Sequence, residues 1–196
     1  GVCHLDTGVN YNHPYLSITG GYDFVNNDSD PMDDNGHGTN TVGIIKSNHS
    51  IVRGVAPNSN ILAVKVLGSN GVGSTSDVAA GINWCILNKN TYNIDVITMS
   101  LGTFATYNPL NSPASYDTIL LSAKNNGMTV VAGSGNSGSI GAISYPAVSP
   151  HVISVGATYD ANVGSSTLTS GSYTCTDATT NEDKVTIDSN DYVVEG

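Results

Sequence analysis

The chain has 196 residues, 39% of them hydrophobic and 11% charged, enough for one domain with a real core. A formal net charge of -10 with six lysines and arginines leaves little to neutralise phosphates. That excludes nucleic acid and anionic membrane surfaces as partners. No stretch approaches transmembrane length, no signal peptide is visible in these residues, and low charge with 22 glycines is a composition common in secreted proteins.

In chain order, Val2 to Leu5 reads as the end of a strand, closed by Asp6. Tyr22 to Asp34 is a short acidic loop carrying Asp23, Asp28, Asp30, Asp33 and Asp34. Oxygen ligands at that density suit calcium, although the spacing is not that of an EF-hand and a solvated acidic loop has the same composition. Gly38 to Lys46 reads as a helix, Ile61 to Leu67 as a buried strand. Ser74, Thr75 and Ser76 offer caps to a helix whose apolar positions are Val78, Ala79, Ile82 and Ile86. Asp95 to Gly102 is the next strand. Ser112-Pro113 reads as a cap and first-turn proline, followed by a stripe of Tyr116, Ile119, Leu120 and Ala123 and a stop at Gly127. Met128 to Gly133 and Val152 to Ala157 are further strands. Apolar strands alternating with helices predict an α/β fold, a parallel sheet covered on both faces. Asp160 to Asp191 is polar and reads as loops and edge structure with short β pieces such as Lys184 to Ile187. Cys3, Cys85 and Cys175 are odd in number and lack metal-ligand spacing, so they read as buried or incidental thiols.

In open parallel sheets, chemistry gathers beyond the carboxyl ends of the strands. Asp6, Ser100 with Leu101 and Gly102, and Gly133, Ser134 and Gly135 with Asn136 all fall there. His37, between Gly36 and Gly38, opens the helix reached from Asp6. A carboxylate, an imidazole and an amide on one edge form an enzyme-like constellation. Asp6 would fix the tautomer of His37, His37 would act as general base, and Asn136 would donate to an oxyanion. Singly, each has a plainer reading: "DTG" as a turn, His37 as a surface residue, "GSGNSGS" as a flexible loop. The last is no P-loop, since no lysine follows it.

The segments "LDTGVNYNHPYL", "DDNGHGTNTVGII", "DVITMSLG", "VVAGSGNSGS" and "YPAVSPHVISVGAT", in this order, resemble the motifs of the subtilisin-like serine proteases, the subtilases. The resemblance runs from residue 1 to about Asp160. It implies a three-layer α/β/α fold, a serine endopeptidase acting on polypeptides as an extracellular or cell-envelope monomer, and no cofactor for the chemistry, with calcium as a structural candidate. By the same resemblance Asp6 and His37 belong to a catalytic triad and Asn136 is the oxyanion donor. Ser100 to Gly102 and Gly133 to Gly135 would line the peptide subsites. Two departures stand out. Asn40 occupies the place of a second histidine, and the Gly-Thr-Ser-Met-Ala motif of the nucleophile is absent. No G-x-S-x-G elbow replaces it. The expectation is a single peptidase domain over residues 1–196, cut at both ends, with 160–191 a polar insertion and the serine downstream. These 196 residues by themselves are then expected not to cleave peptide bonds. The competing expectation is a non-catalytic domain of the same fold that holds peptides by strand addition. An aspartic protease would need a second "DTG", and the sequence has only one.

Overall fold

The computed structural model describes residues 1–137, 139 and 141–156, and beyond them the backbone of four strands within 166–195. The elements are, in order, β1 (Val2–Asp6), β2 (Gly20–Asp23), α1 (His37–Lys46), β3 (Ile61–Lys65), α2 (Thr75–Leu87), α3 (Lys89–Tyr92), β4 (Val96–Met99) and β5 (Thr106–Tyr107). A 3-10 turn over Pro109–Asn111 precedes α4 (Asp117–Asn125). Then come β6 (Thr129–Gly133), β7 (Ile143–Ser144) and β8 (Ile153–Val155). Six strands form one parallel sheet in the order β2-β3-β1-β4-β6-β8, and β5 pairs with β7 antiparallel.

The period-two alternation of the central strands divides the core. On β3, Leu62 and Val64 join Cys3 and Leu5 of β1, Val78 and Ile82 of α2, and Leu120 and Ala123 of α4. Ile61 and Ala63 turn the other way, to Val9, Leu16 and Val42 of α1. Helices thus cover both faces, the α/β/α arrangement that continuous apolar strands imply. On β1, Val2 packs toward the α1 side while Cys3 and Leu5 face α2, so alternation turns His4 and Asp6 toward α1.

Several local expectations are corrected. Cys3 and Cys85 are not free thiols: they form a disulfide across a Cα–Cα distance of 6.1 Å, joining β1 to α2. Odd number and wide spacing hid a pair that only sheet-on-helix packing brings together. The buried face of α2 is Val78, Gly81, Ile82 and Cys85, with Ala79 and Ile86 half-buried. Ala79 and Ile86 still pack against the core, and the face is widened by Cys85 and by Gly81, which seats the helix on Val64 and Val66; a Cβ there would lie 2.8 Å from Val66 Cγ1. Ser112-Pro113 does not start α4, which begins at Asp117 after Tyr116; the proline used at a helix start is Pro109, in a turn capped by Asn108. Ser74 does cap α2, accepting from Asp77 N–H at 3.0 Å. Strand β2 was not anticipated, since Gly20-Gly21 carries no β propensity. It pairs with β3 in parallel, and at Gly21 nothing larger fits: a Cβ there would sit 2.0 Å from Ala63 O.

Within 160–191, Lys184–Ile187 is strand β11, in an antiparallel sheet with β9 (Ser166–Leu168), β10 (Tyr173–Asp177) and β12 (Tyr192–Glu195). The segments between these strands, expected to be loops, lie outside the described residues, as do the side-chain surroundings of Cys175.

Candidate active site

Asp6 ends β1 fully buried. Its Oδ1 accepts from the Thr7 N–H and from His37 Nδ1, both at 2.7 Å. With the carboxylate accepting, the His37 proton sits on Nδ1 and Nε2 keeps a free lone pair. The His37 side chain is 47% exposed and lines a cavity of about 620 Å³. A buried carboxylate behind a half-exposed imidazole is the geometry of an oriented general base.

The turn that carries His37 is held by Asp33. Its Oδ1 accepts from Thr7 Oγ1 at 2.8 Å, Asn35 N–H at 3.0 Å and Gly36 N–H at 2.9 Å. Its Oδ2 accepts from Thr39 N–H at 2.9 Å and from the Thr39 hydroxyl. Burial pushes the Asp33 carboxyl up, but hydrogen bonds from Gly36, Thr39 and Asn35 outweigh it and hold it down at about 2. Thr7 Oγ1 in turn accepts from Gly38 N–H at 2.9 Å, locking the first turn of α1 onto the end of β1. On the neighbouring strand, buried Lys65 donates to Thr7 O, Leu67 O and Asp34 at 2.6–2.9 Å, tying the loops after β1 and β3 together.

Ser100, Leu101 and Gly102, just past β4, line the same cavity as His37. Ser100 and Gly102 are exposed. Gly133 ends β6, with Ser134, Gly135 and Asn136 beyond it at the same carboxyl edge. These four do not line that cavity. Asn136 is exposed, whereas the Ser134 backbone is taken up by Val155 O and Ser144 N–H, both at 2.9 Å. Ser144 joins the two segments: a Cβ on Gly102 would lie 2.9 Å from its Cβ, and one on Gly135 2.2 Å from its Oγ.

The sequence reading missed the cavity's other walls. One is the Leu67 and Gly71–Thr75 loop, pinned to Asn35 through a 2.9 Å bond to Ser69 O. Another is the Tyr116–Tyr145 pair, whose rings pack edge-on at 4.6 Å. Tyr145 OH accepts from Tyr116 N–H at 2.8 Å and donates to Asp117 at 3.0 Å. Burial pushes both phenols up, so both stay protonated. Aromatic residues 29 positions apart give no local pattern that would flag them.

The carboxylates of the acidic loop each accept from the protein's own donors. Asp23 is buried and accepts from Val25 N–H, Asn26 N–H and Asn26 Nδ2 at 2.7–2.9 Å. Asp28 accepts from Asp30 N–H, Asp30 from Tyr11 OH, and Asp34 from Lys65. Among the described residues, no three acidic, histidine or cysteine side chains group as metal ligands would.

Comparison with known proteins gives a consistent picture. The model of the subtilase family matches residues 1–188. Subtilisin from Bacillus pumilus is 42% identical over 177 residues, covering 87% of this chain and 61% of the relative. Subtilisin Savinase from Lederbergia lenta is 45% identical over 159 residues, 80% of this chain and 55% of the relative. Subtilisin E from Bacillus subtilis (strain 168) is 41% identical, with 87% and 44% covered. Among solved structures, a cold adapted subtilisin-like serine proteinase superposes with a TM-score of 0.70 at 35% identity, covering 82% of this chain and 55% of that one. The chain spans about half the length of the relatives it matches.

Proposed function

The chain belongs to the subtilase family, and from that premise we propose that the protein is a serine endopeptidase in which Asp6 and His37 serve a nucleophilic serine contributed from outside these 196 residues. The observation that carries the reading is the 2.7 Å bond from His37 Nδ1 to a fully buried Asp6, with the imidazole open to a cavity. His37 Nε2 takes the serine proton as the hydroxyl attacks the peptide carbonyl. The resulting imidazolium is held by Asp6, and the proton passes to the leaving amine. Asn136, at the same sheet edge, donates to the oxyanion. The stretch Ser100 to Gly102, exposed at Ser100 and Gly102, pairs with the peptide as an added strand, with Gly133, Ser134 and Gly135 bordering it. The buried Cys3–Cys85 disulfide supports an oxidising, extracellular or cell-envelope location, and a monomer suffices for this chemistry.

The test is peptide hydrolysis and labelling by a fluorophosphonate by the full-length protein. Wild type is expected to turn over and to label. H37A is expected to do neither, and D6N to lose about 10⁴-fold in kcat through the wrong imidazole tautomer. Activity is expected to fall at acid pH, because a protonated imidazole cannot accept the serine proton. Saturable peptide binding with no turnover and no labelling in wild type would replace this reading with a peptide-binding domain.

A further inference from the structure

Directly behind the Asp6–His37 pair lies a second histidine, which takes no part in the proton transfers of that pair. His4 is on the same side of β1 as Asp6, two residues earlier, and only 1% exposed. Its Nε2 is 2.8 Å from Thr41 Oγ1 on α1 and 3.8 Å from Asp6 Oδ2. Thr41 Oγ1 lies 3.1 Å from Gly38 O, to which its hydroxyl donates. It therefore accepts from His4, and the His4 proton is on Nε2. Among the described residues, Asp6 Oδ2 and His4 Nδ1 are buried with no hydrogen-bond partner. So one oxygen of the Asp6 carboxylate is held by Thr7 and His37, and the other lies 3.8 Å from Nε2 of a neutral imidazole whose N–H goes to Thr41.

Resting on the catalytic reading of this site, we propose that His4, anchored by donating its Nε2–H to Thr41, is a positioning residue: the electropositive Nε2 edge of its ring lies 3.8 Å from the free oxygen of Asp6 and moderates the hold of that carboxylate on the His37 ring. The charged and titratable groups around His4 are Asp6 on its own strand, His37 on α1 and Asp33 in the turn before it. Lys65 on β3 directs its ammonium to Asp34 and two carbonyls instead. Burial, aided by His37, pulls His4 below the ordinary imidazole range against Asp6 and Asp33. A second proton would also leave a buried N–H without an acceptor, so His4 acts as a fixed dipole, not as a proton carrier.

Removing that dipole concentrates the Asp6 charge on His37 and favours the imidazolium. The acid limb of the rate profile then moves to higher pH. The experiment follows kcat/KM for peptide hydrolysis against pH in the full-length protein, for wild type, H4V, H4Q and H4V/T41V. In the double variant both polar partners go together, which costs little stability. The expected result is an acid limb shifted upward by about half a pH unit or more in H4V and H4V/T41V, and largely restored in H4Q, whose amide returns an N–H. An unmoved acid limb in a folded H4V/T41V would make His4 mere filling and overturn the proposal. H37A, run alongside, separates the failures: if it keeps wild-type turnover, the catalytic reading falls whatever His4 does.

Discussion

At Gly38 a Cβ would sit 2.1 Å from Gly8 O and 3.2 Å from Asp6 Oδ1. No other residue lets the first turn of α1 approach β1 closely enough for His37 to reach Asp6. Gly36 serves another purpose. Nothing lies within 4 Å of where its Cβ would be, but its φ is +107°, a conformation that side chains resist. The "GHG" spelling was visible in the sequence. That one glycine serves packing and the other backbone conformation was not. Asp33 is the other decisive residue, because it holds Thr7, Gly36 and Thr39 at once. Its carboxyl titrates at about 2 in the folded protein against an ordinary 3.8. A depressed carboxyl stabilises the fold above its unfolded value, and that stabilisation is lost as pH falls from about 4 toward 2. In thermal melts between pH 6 and 2, D33N is therefore expected to melt below wild type at pH 6, with the gap closing between pH 4 and 2. A gap independent of pH would assign the loss to packing alone.

Among the elements, α2 depends most on tertiary context. Its start is local, with Ser74 accepting from Asp77 N–H, and the sequence shows it. Its rotation about its own axis is not local. Gly81 seats against Val64 and Val66, and Cys85 reaches Cys3 across 82 residues of chain. A cross-link closing so long a loop removes much freedom from the unfolded chain, so C3A/C85A is expected to cost roughly 2–5 kcal/mol. Denaturant unfolding with and without reductant checks it: reduction should destabilise wild type and leave C3A/C85A where it was. Strand β2 makes the same point from the other side, as an edge strand in which only a glycine at position 21 fits against Ala63.

Over the whole molecule, the formal charge of -10 sets a field that no single contact reveals. If peptides are its substrates, those rich in lysine and arginine are expected to associate faster than acidic ones of equal length. In kcat/KM measurements the preference should shrink as ionic strength rises and the Debye length falls to about 8 Å. A preference that ignores salt would have to come from the cavity walls instead. The sequence by itself determined the alternation of buried strands and helices, hence the layered parallel sheet and the carboxyl edge at which Asp6 and Gly133 end their strands and Ser100 follows its own. Those features repeat over short stretches of chain, where periodicity and capping act. Only the tertiary structure decided the Cys3–Cys85 link, the Tyr116–Tyr145 wall, the face α2 buries and the place of His4 behind Asp6. Each of these joins positions that no local pattern relates, and each is set by which side chains two packed layers can bring within a few ångströms.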